Sequence, residues 1–257
     1  LNTISLLICS MSKRNLEHTV CNEVIGSVVE GLNLRPNDVI LSVGGSGDVP
    51  FALLERGSKI IIVDYNPKQI EYILRRADYL RNGNFDSFLE VSERGSQDNN
   101  LGGRDFFESL GRRNQYFRTG SRLEMVRANI DNIMHIIEED VFYAAEQLHG
   151  FNKLYLSNAI SHKHSVDERR GKQHTETPQV LSAVSRNLPL DGLVYVSDHT
   201  ELASLYLFWN QLPKPDQLQL SEEMLPPELR LERNLTLRAQ ELDHGIWTPA
   251  VYTKVKS

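Results

Sequence analysis

Apolar residues recur along this chain with two periods, and their alternation predicts an open α/β sheet. Val39-Ile-Leu-Ser-Val43 and Ile60-Ile-Ile-Val63 are short, nearly continuous apolar runs, as expected of strands covered on both faces. Leu16, Val20, Val24, Ile25, Val28, Val29 and Leu32 fall instead at helical spacing and predict a leading helix over 15–32, stopped by Gly31 and Pro36. The strand at 38–43, a helix over 48–56 and the strand at 59–64 form a first βαβ unit, with the right-handed crossover such units take. A helix over 67–80 follows, with Ile70, Ile73, Leu74 and Ala77 toward the sheet.

From 82 to 120 the pattern loosens into a polar, glycine-containing loop at 96–103, flanked by short helical pieces near 85–91 and 104–110. An excursion of that length is a candidate substrate-facing insertion or a surface loop. Regular patterning resumes with a helix at 121–129, a strand at 133–137, a helix at 141–148 and strands at 153–157 and 193–197. Antiparallel strands are expected near 231–241 and 247–255. Helix–strand alternation closed by a C-terminal antiparallel hairpin predicts a Rossmann-like, seven-stranded, mostly parallel sheet with helices on both faces. There is no internal repeat and no interdomain linker, so residues 1–257 are expected to form one domain, with 1–35 as a leading helical segment and 82–120 as an insertion.

The turn after the first strand carries the most specific chemistry. Gly44-Gly45-Ser46-Gly47 leaves the backbone nearly bare, so it can lie against a ligand, and Pro50 suits the first turn of the helix that follows. Asp64 ends the next strand, where it can accept both hydroxyls of a ribose or cap the helix beginning near Pro67. A dinucleotide fingerprint needs a third glycine, but from Gly45 the spacing gives Gly45-Ser-Gly47-Asp-Val-Pro50. Asp48 would compete with a pyrophosphate for the helix N-terminus, yet it is comfortable beside a cation or an amino group. S-adenosylmethionine (SAM) carries both a sulfonium and an amino group, so these residues favour SAM over NAD.

The stretch Leu41-Ser-Val-Gly-Gly-Ser-Gly-Asp-Val-Pro-Phe-Ala-Leu-Leu54, followed by Val63-Asp-Tyr-Asn-Pro-Lys-Gln69, resembles class I SAM-dependent transferases. More narrowly it is similar to the betaine-lipid-type 3-amino-3-carboxypropyl transferases, chiefly in Asp64-Tyr-Asn-Pro-Lys-Gln69 and the Phe85-Asp-Ser-Phe-Leu89 segment. The likeness covers residues 36 to 90 and returns weakly around Leu156-Ser-Asn158. It implies the class I SAM-transferase fold and a cofactor site of Gly44, Gly45, Ser46, Gly47, Asp48, Asp64, Tyr65, Asn66, Gln69, Ser157 and Asn158, to which the ends of the strands add Asp140 and Val141. Ser157 and Asn158 would contact the methionine part. Two departures stand out: those lipid enzymes are longer, and Ser42 occupies a position where ordinary methyltransferases carry an acid.

Composition narrows the partners. Of 257 residues 40% are hydrophobic and 24% charged, as in soluble globular proteins. A net charge of −6 leaves no basic surplus for a nucleic-acid polymer, which favours a small-molecule acceptor. Cys9 and Cys21 form neither a metal pattern nor a disulfide framework and suit a reducing cytoplasm. The apolar run at 4–9 is too short for a membrane span and lacks the basic flank of a signal peptide, and Met11 reads as a second start. The pattern leaves the oligomeric state open.

Open α/β sheets bind ligands beyond the carboxyl ends of their strands. Asp140 can accept from an adenine amino group with Val141 against the ring, or simply cap the helix that follows. The segment Ser161-His-Lys-His-Ser-Val-Asp-Glu-Arg-Arg-Gly-Lys-Gln-His174 leaves a strand end where an acceptor substrate belongs. His162 and His164 could take a proton there, and Arg169 and Arg170 could hold an anionic group. The loop could equally be solvated, and the spacing of His162, His164 and His174 is poor for zinc. His199 is a further candidate after the strand at 193–197. The resemblance implies transfer of an aminocarboxypropyl group with release of methylthioadenosine. Methyl transfer, a non-catalytic nucleotide-binding module and an NAD-dependent oxidoreductase are the alternatives.

Overall fold

A computed structural model describes residues 15–92, 95, 96, 98, 106–160, 177–197, 222 and 225–256. Strands β1 (Val39–Val43), β2 (Lys59–Asp64), β3 (Ile133–Glu138), β4 (Lys153–Ser157), β5 (Leu193–Val196), β6 (Leu229–Leu231) and β7 (Ala250–Lys254) form one sheet of order β3-β2-β1-β4-β5-β7-β6. The first five run parallel, and β7 lies antiparallel between β5 and β6. Register is set early: Leu41 on β1 stands opposite Ile61 on one side and Leu154 on the other.

Alternate strand residues face opposite layers, as the pleat requires. Ile40, Ile60, Ile62, Tyr155, Tyr195 and Val251 join a core with helices α1 (Ile25–Gly31), α2 (Asp48–Ala52) and α3 (Pro67–Arg81). Leu41, Ile61, Val63, Leu154, Val194 and Tyr252 face the other layer. There they meet α7 (Val141–Gln147) and α8 (Thr177–Ser185). Between α3 and β3 lie α4 (Phe85–Leu89), α5 (Phe106–Arg118) and α6 (Arg122–Ala128). Helix α5 runs well past the short piece expected at 104–110, because Phe106, Ser109, Arg113 and Phe117 give it a continuous buried stripe.

Two expectations are corrected. The leading helix does not span 15–32; it begins at Ile25. Residues 15–24 are not helical because side chains of the main domain take their backbone donors. Gln69 Oε1 accepts from Glu17 N and His18 N, Asp98 from Thr19 N, and Asp48 from Cys21 N. The segment 231–241 is not a strand either. Only Leu229–Leu231 pairs with β7, and helix α9 (Arg233–Asp243) follows it. Thr236, Ala239 and Asp243, at helical spacing, bury one side of α9, and the Ala239 carbonyl accepts from Ser27 Oγ of α1 at 2.8 Å. Packing against α1 decides for the helix.

Candidate functional site

The sheet order reverses direction of growth between β1 and β4, the place where parallel sheets open a crevice. On one side of that crevice the β1 turn and the end of β2 are joined through Asp64. Its carboxylate accepts from Gly45 N and from Asn66 N, each at 2.9 Å. The glycines serve different ends. A Cβ on Gly44 would lie 3.0 Å from the Asp64 carboxylate oxygen, so this glycine makes room for Asp64 itself. Gly47 caps α2 at φ +83°, and a Cβ there would press on Phe51. Gly45, at φ +49°, has open space on that side and is the bare face of the turn.

Asp48 sits under the turn, and the cation beside it belongs to the protein. Its carboxylate is fully buried and bonds Arg76 Nη2 at 2.6 Å, Ser46 Oγ at 2.8 Å and Cys21 N at 2.8 Å. Arg76 also donates to the Ser46 carbonyl and lies over the Phe88 ring, 4.2 Å from its centroid. Arg113 Nη1 is 3.7 Å from the same carboxylate, and burial lowers the guanidinium's proton affinity. The carboxylate expected beside a ligand amino group thus has Arg76, Ser46 and Cys21 as its protein partners. The carboxylate is sealed in an internal ion cluster that fixes Ser46 and the turn.

Asn66 and Gln69 are likewise turned to structural use. Asn66 caps α3 by accepting from Lys68 N and donates to the Asn15 carbonyl. Gln69 grips the backbone of Glu17 and His18 through both ends of its amide. Together they strap residues 15–19 across the end of β2. Tyr65 remains partly exposed, with its hydroxyl donating to Glu17 at 2.6 Å. Asp140 is an N-cap, accepting from Phe142 N at 2.8 Å and Tyr143 N at 3.4 Å, while Val141 is buried behind it.

Across the crevice, β4 ends in Ser157, a non-glycine residue at φ +55°. The left-handed backbone turns its hydroxyl onto the Glu23 carboxylate. Asn158 follows, its side-chain oxygen 3.3 Å from the Ser157 hydroxyl. Glu23 is 4% exposed, and burial raises its carboxyl pKa above the ordinary value, opposed by Ser157, Ser197 and Tyr155 around it. Sequence reasoning missed Glu23, hidden in the apolar series assigned to a longer helix. It also missed Arg76, although an arginine among Ile73, Ala77 and Leu80 on a sheet-facing stripe is itself a signal of a buried partner.

His162, His164, Arg169, Arg170 and His174, like His199, lie outside the described residues, and so does most of the 96–103 loop. Among the described residues no group of three His, Cys, Asp or Glu side chains could hold a metal ion, and no helix is long and apolar enough to cross a membrane.

No family model matches the chain, and no curated protein matches it. Solved structures do. A SAM-dependent methyltransferase from Thiobacillus denitrificans, in complex with S-adenosyl-L-homocysteine, is 11% identical with a TM-score of 0.46, over 94% of this chain and 95% of that one. A TehB-like SAM-dependent methyltransferase from Corynebacterium glutamicum is 13% identical with a TM-score of 0.43, over 90% and 87%. Precorrin-6y C5,15-methyltransferase from Geobacter metallireducens is 12% identical with a TM-score of 0.39, over 73% and 70%. In sheet order, with β7 antiparallel between β5 and β6, the chain has the Rossmann-like, mostly parallel seven-stranded arrangement that its sequence predicts.

Proposed function

We propose that this chain is a SAM-dependent transferase acting on a small-molecule acceptor. The observation that carries the reading is Asp64, at the carboxyl end of β2, tied to the bare Gly45 turn beside the switch point of the sheet. A carboxylate can accept roughly four hydrogen bonds, so the same group can serve the turn and a ribose. The open side of Gly45 supports close approach of a nucleoside to the backbone. Asp140 would accept from the adenine amino group while Val141 lies behind the ring, and Ser157 and Asn158 would face the methionine part. Bound SAM would supply an electrophilic carbon on a sulfonium, which needs little acid–base help to leave.

Of the carbons on that sulfonium, the resemblance of residues 36 to 90 supports transfer of the aminocarboxypropyl group. Orientation of the acceptor selects the carbon, because alignment dominates such displacements. His162 and His164, with Arg169 and Arg170, are assigned to the acceptor side on sequence grounds. Incubation of the protein with SAM and a small-molecule extract tests the reading. Accumulated methylthioadenosine supports aminocarboxypropyl transfer, S-adenosylhomocysteine means methyl transfer, and neither product argues against a transferase. Asp64→Ala should weaken SAM binding by on the order of a hundredfold in calorimetry, since two hydroxyls lose a charged acceptor. Undiminished affinity in a folded variant would reduce Asp64 to a turn fastener.

A further inference from the structure

Glu23 is a buried carboxylate whose partners do not balance it. Ser157 Oγ donates to one oxygen, whereas Oε2 is sealed from solvent and makes no close hydrogen bond, although the Ser197 and Tyr155 hydroxyls face the carboxylate. Ser197 Oγ, at the end of the neighbouring strand β5, is equally buried and likewise makes no close hydrogen bond, facing the Glu23 carboxylate. The two strand ends are fastened together by the bond from Ser197 N to the Ser157 carbonyl at 2.9 Å. Two polar atoms without a close hydrogen bond therefore meet over adjacent strands, on the side of the crevice away from Asp64. An unsatisfied buried oxygen costs about 1–3 kcal/mol, and more when it is charged, so a fold keeps such atoms where something binds them.

The surroundings say what that something is. The titratable groups facing Glu23 are Cys21, Tyr155, Tyr195 and Asp243, all neutral or anionic. Among the described residues no lysine or arginine pairs with the carboxylate. A hydroxyl ligand would donate a bond but leave the negative charge uncompensated in the interior. A protonated amine supplies both the donor and the missing charge.

We propose that Glu23 and Ser197 form the subsite for an amino group on the acceptor, and that the acceptor's nucleophile is this amine; the proposal rests on the transferase reading above. The ammonium enters as the counter-ion of Glu23. One N–H proton then passes to Oε2, which gives a neutral carboxylic acid and a neutral amine with its lone pair free. The raised proton affinity of the buried carboxyl favours that transfer. Glu23, rather than a histidine of the 161–174 loop, is thus the first proton acceptor.

The test is calorimetric titration of the full chain, saturated with S-adenosylhomocysteine, with methylamine and ethanolamine, using methanol and ethylene glycol as neutral counterparts. The amines should bind and the alcohols should not. Glu23→Gln should keep affinity for S-adenosylhomocysteine while weakening amine binding by about tenfold or more. Ser197→Ala should weaken it less and guards against a misfolded Gln variant. Equal binding of amines and alcohols, no amine binding, or amine affinity unchanged in both variants overturns the proposal. Loss of S-adenosylhomocysteine binding in Glu23→Gln alone would assign Glu23 to the cofactor and overturn it too. If the wild-type chain binds neither SAM nor S-adenosylhomocysteine, the transferase reading falls, and amine titration of the unliganded chain still reads the subsite.

Discussion

Asp48 and Glu23 are both buried carboxylates at the carboxyl edge of the sheet, and they are treated in opposite ways. Asp48 is fully satisfied: Arg76, the Ser46 hydroxyl and the Cys21 amide close around it, with Arg113 beyond. Glu23, only two residues from Cys21, has one oxygen bonded to Ser157, while the other makes no close hydrogen bond and the groups around it supply no positive charge. Saturation marks a group that holds the backbone still, here the glycine turn of β1. On the proposal above, incomplete satisfaction keeps Glu23 ready for a ligand.

The largest expected effect breaks the saturated side. Asp48→Ala leaves Arg76 and Arg113 as buried cations without a counter-charge and should cost about 3–5 kcal/mol of stability. Thermal unfolding would read this, and a double replacement of Asp48 and Arg76 by leucines should recover much of the loss. A variant as stable as the parent would mean that the cluster is not the clamp described.

An intermediate effect concerns Gln69, another satisfied buried group on the same side. Its removal in Gln69→Ala should cost about 1–2 kcal/mol and act locally, with faster amide exchange at Glu17 and His18. Global destabilisation without local exchange would argue that the strap is not fastened by Gln69.

The smallest effect sharpens the contrast through pH. The carboxyl of Glu23 binds its proton more tightly in the folded chain than in the unfolded one. Below the ordinary glutamate value of 4.5 both states are protonated and Glu23 imposes no charge penalty. As pH rises above 4.5, the unfolded chain releases the proton first, so stability falls until the folded group has ionised as well. Glu23→Gln should remove this downward slope while changing stability at acid pH little. Chemical denaturation across pH measures it, and parallel curves for the two proteins would contradict the buried, half-satisfied carboxyl.

Much of the sheet was legible in the sequence because parallel strands buried on both faces leave unmistakable apolar runs. Val39–Val43, Lys59–Asp64 and Lys153–Ser157 lie where the pattern set them, and the order of elements fixed a crossover architecture. The errors fell where local pattern and tertiary partners disagree. Residues 15–24 have helical spacing, but the Gln69, Asp98 and Asp48 side chains offer their amides better partners than a helix could. Residues 233–243 form helix α9, with Thr236, Ala239 and Asp243 buried and the Ala239 carbonyl bonded to α1.

For the site, the sequence by itself determined which backbone turn is bare and which acid ends β2, because glycine conformation and strand ends are local properties. Only the tertiary structure decided what each acid does. Asp48 became internal once Arg76 came up from α3, and Glu23 became a buried carboxylate without a counter-ion once β4 and β5 delivered Ser157 and Ser197 beside it. A carboxylate's role depends on its dielectric surroundings and on the charges within a few ångströms. For Asp48 those charges are Arg76 and Arg113, 28 and 65 positions away in sequence.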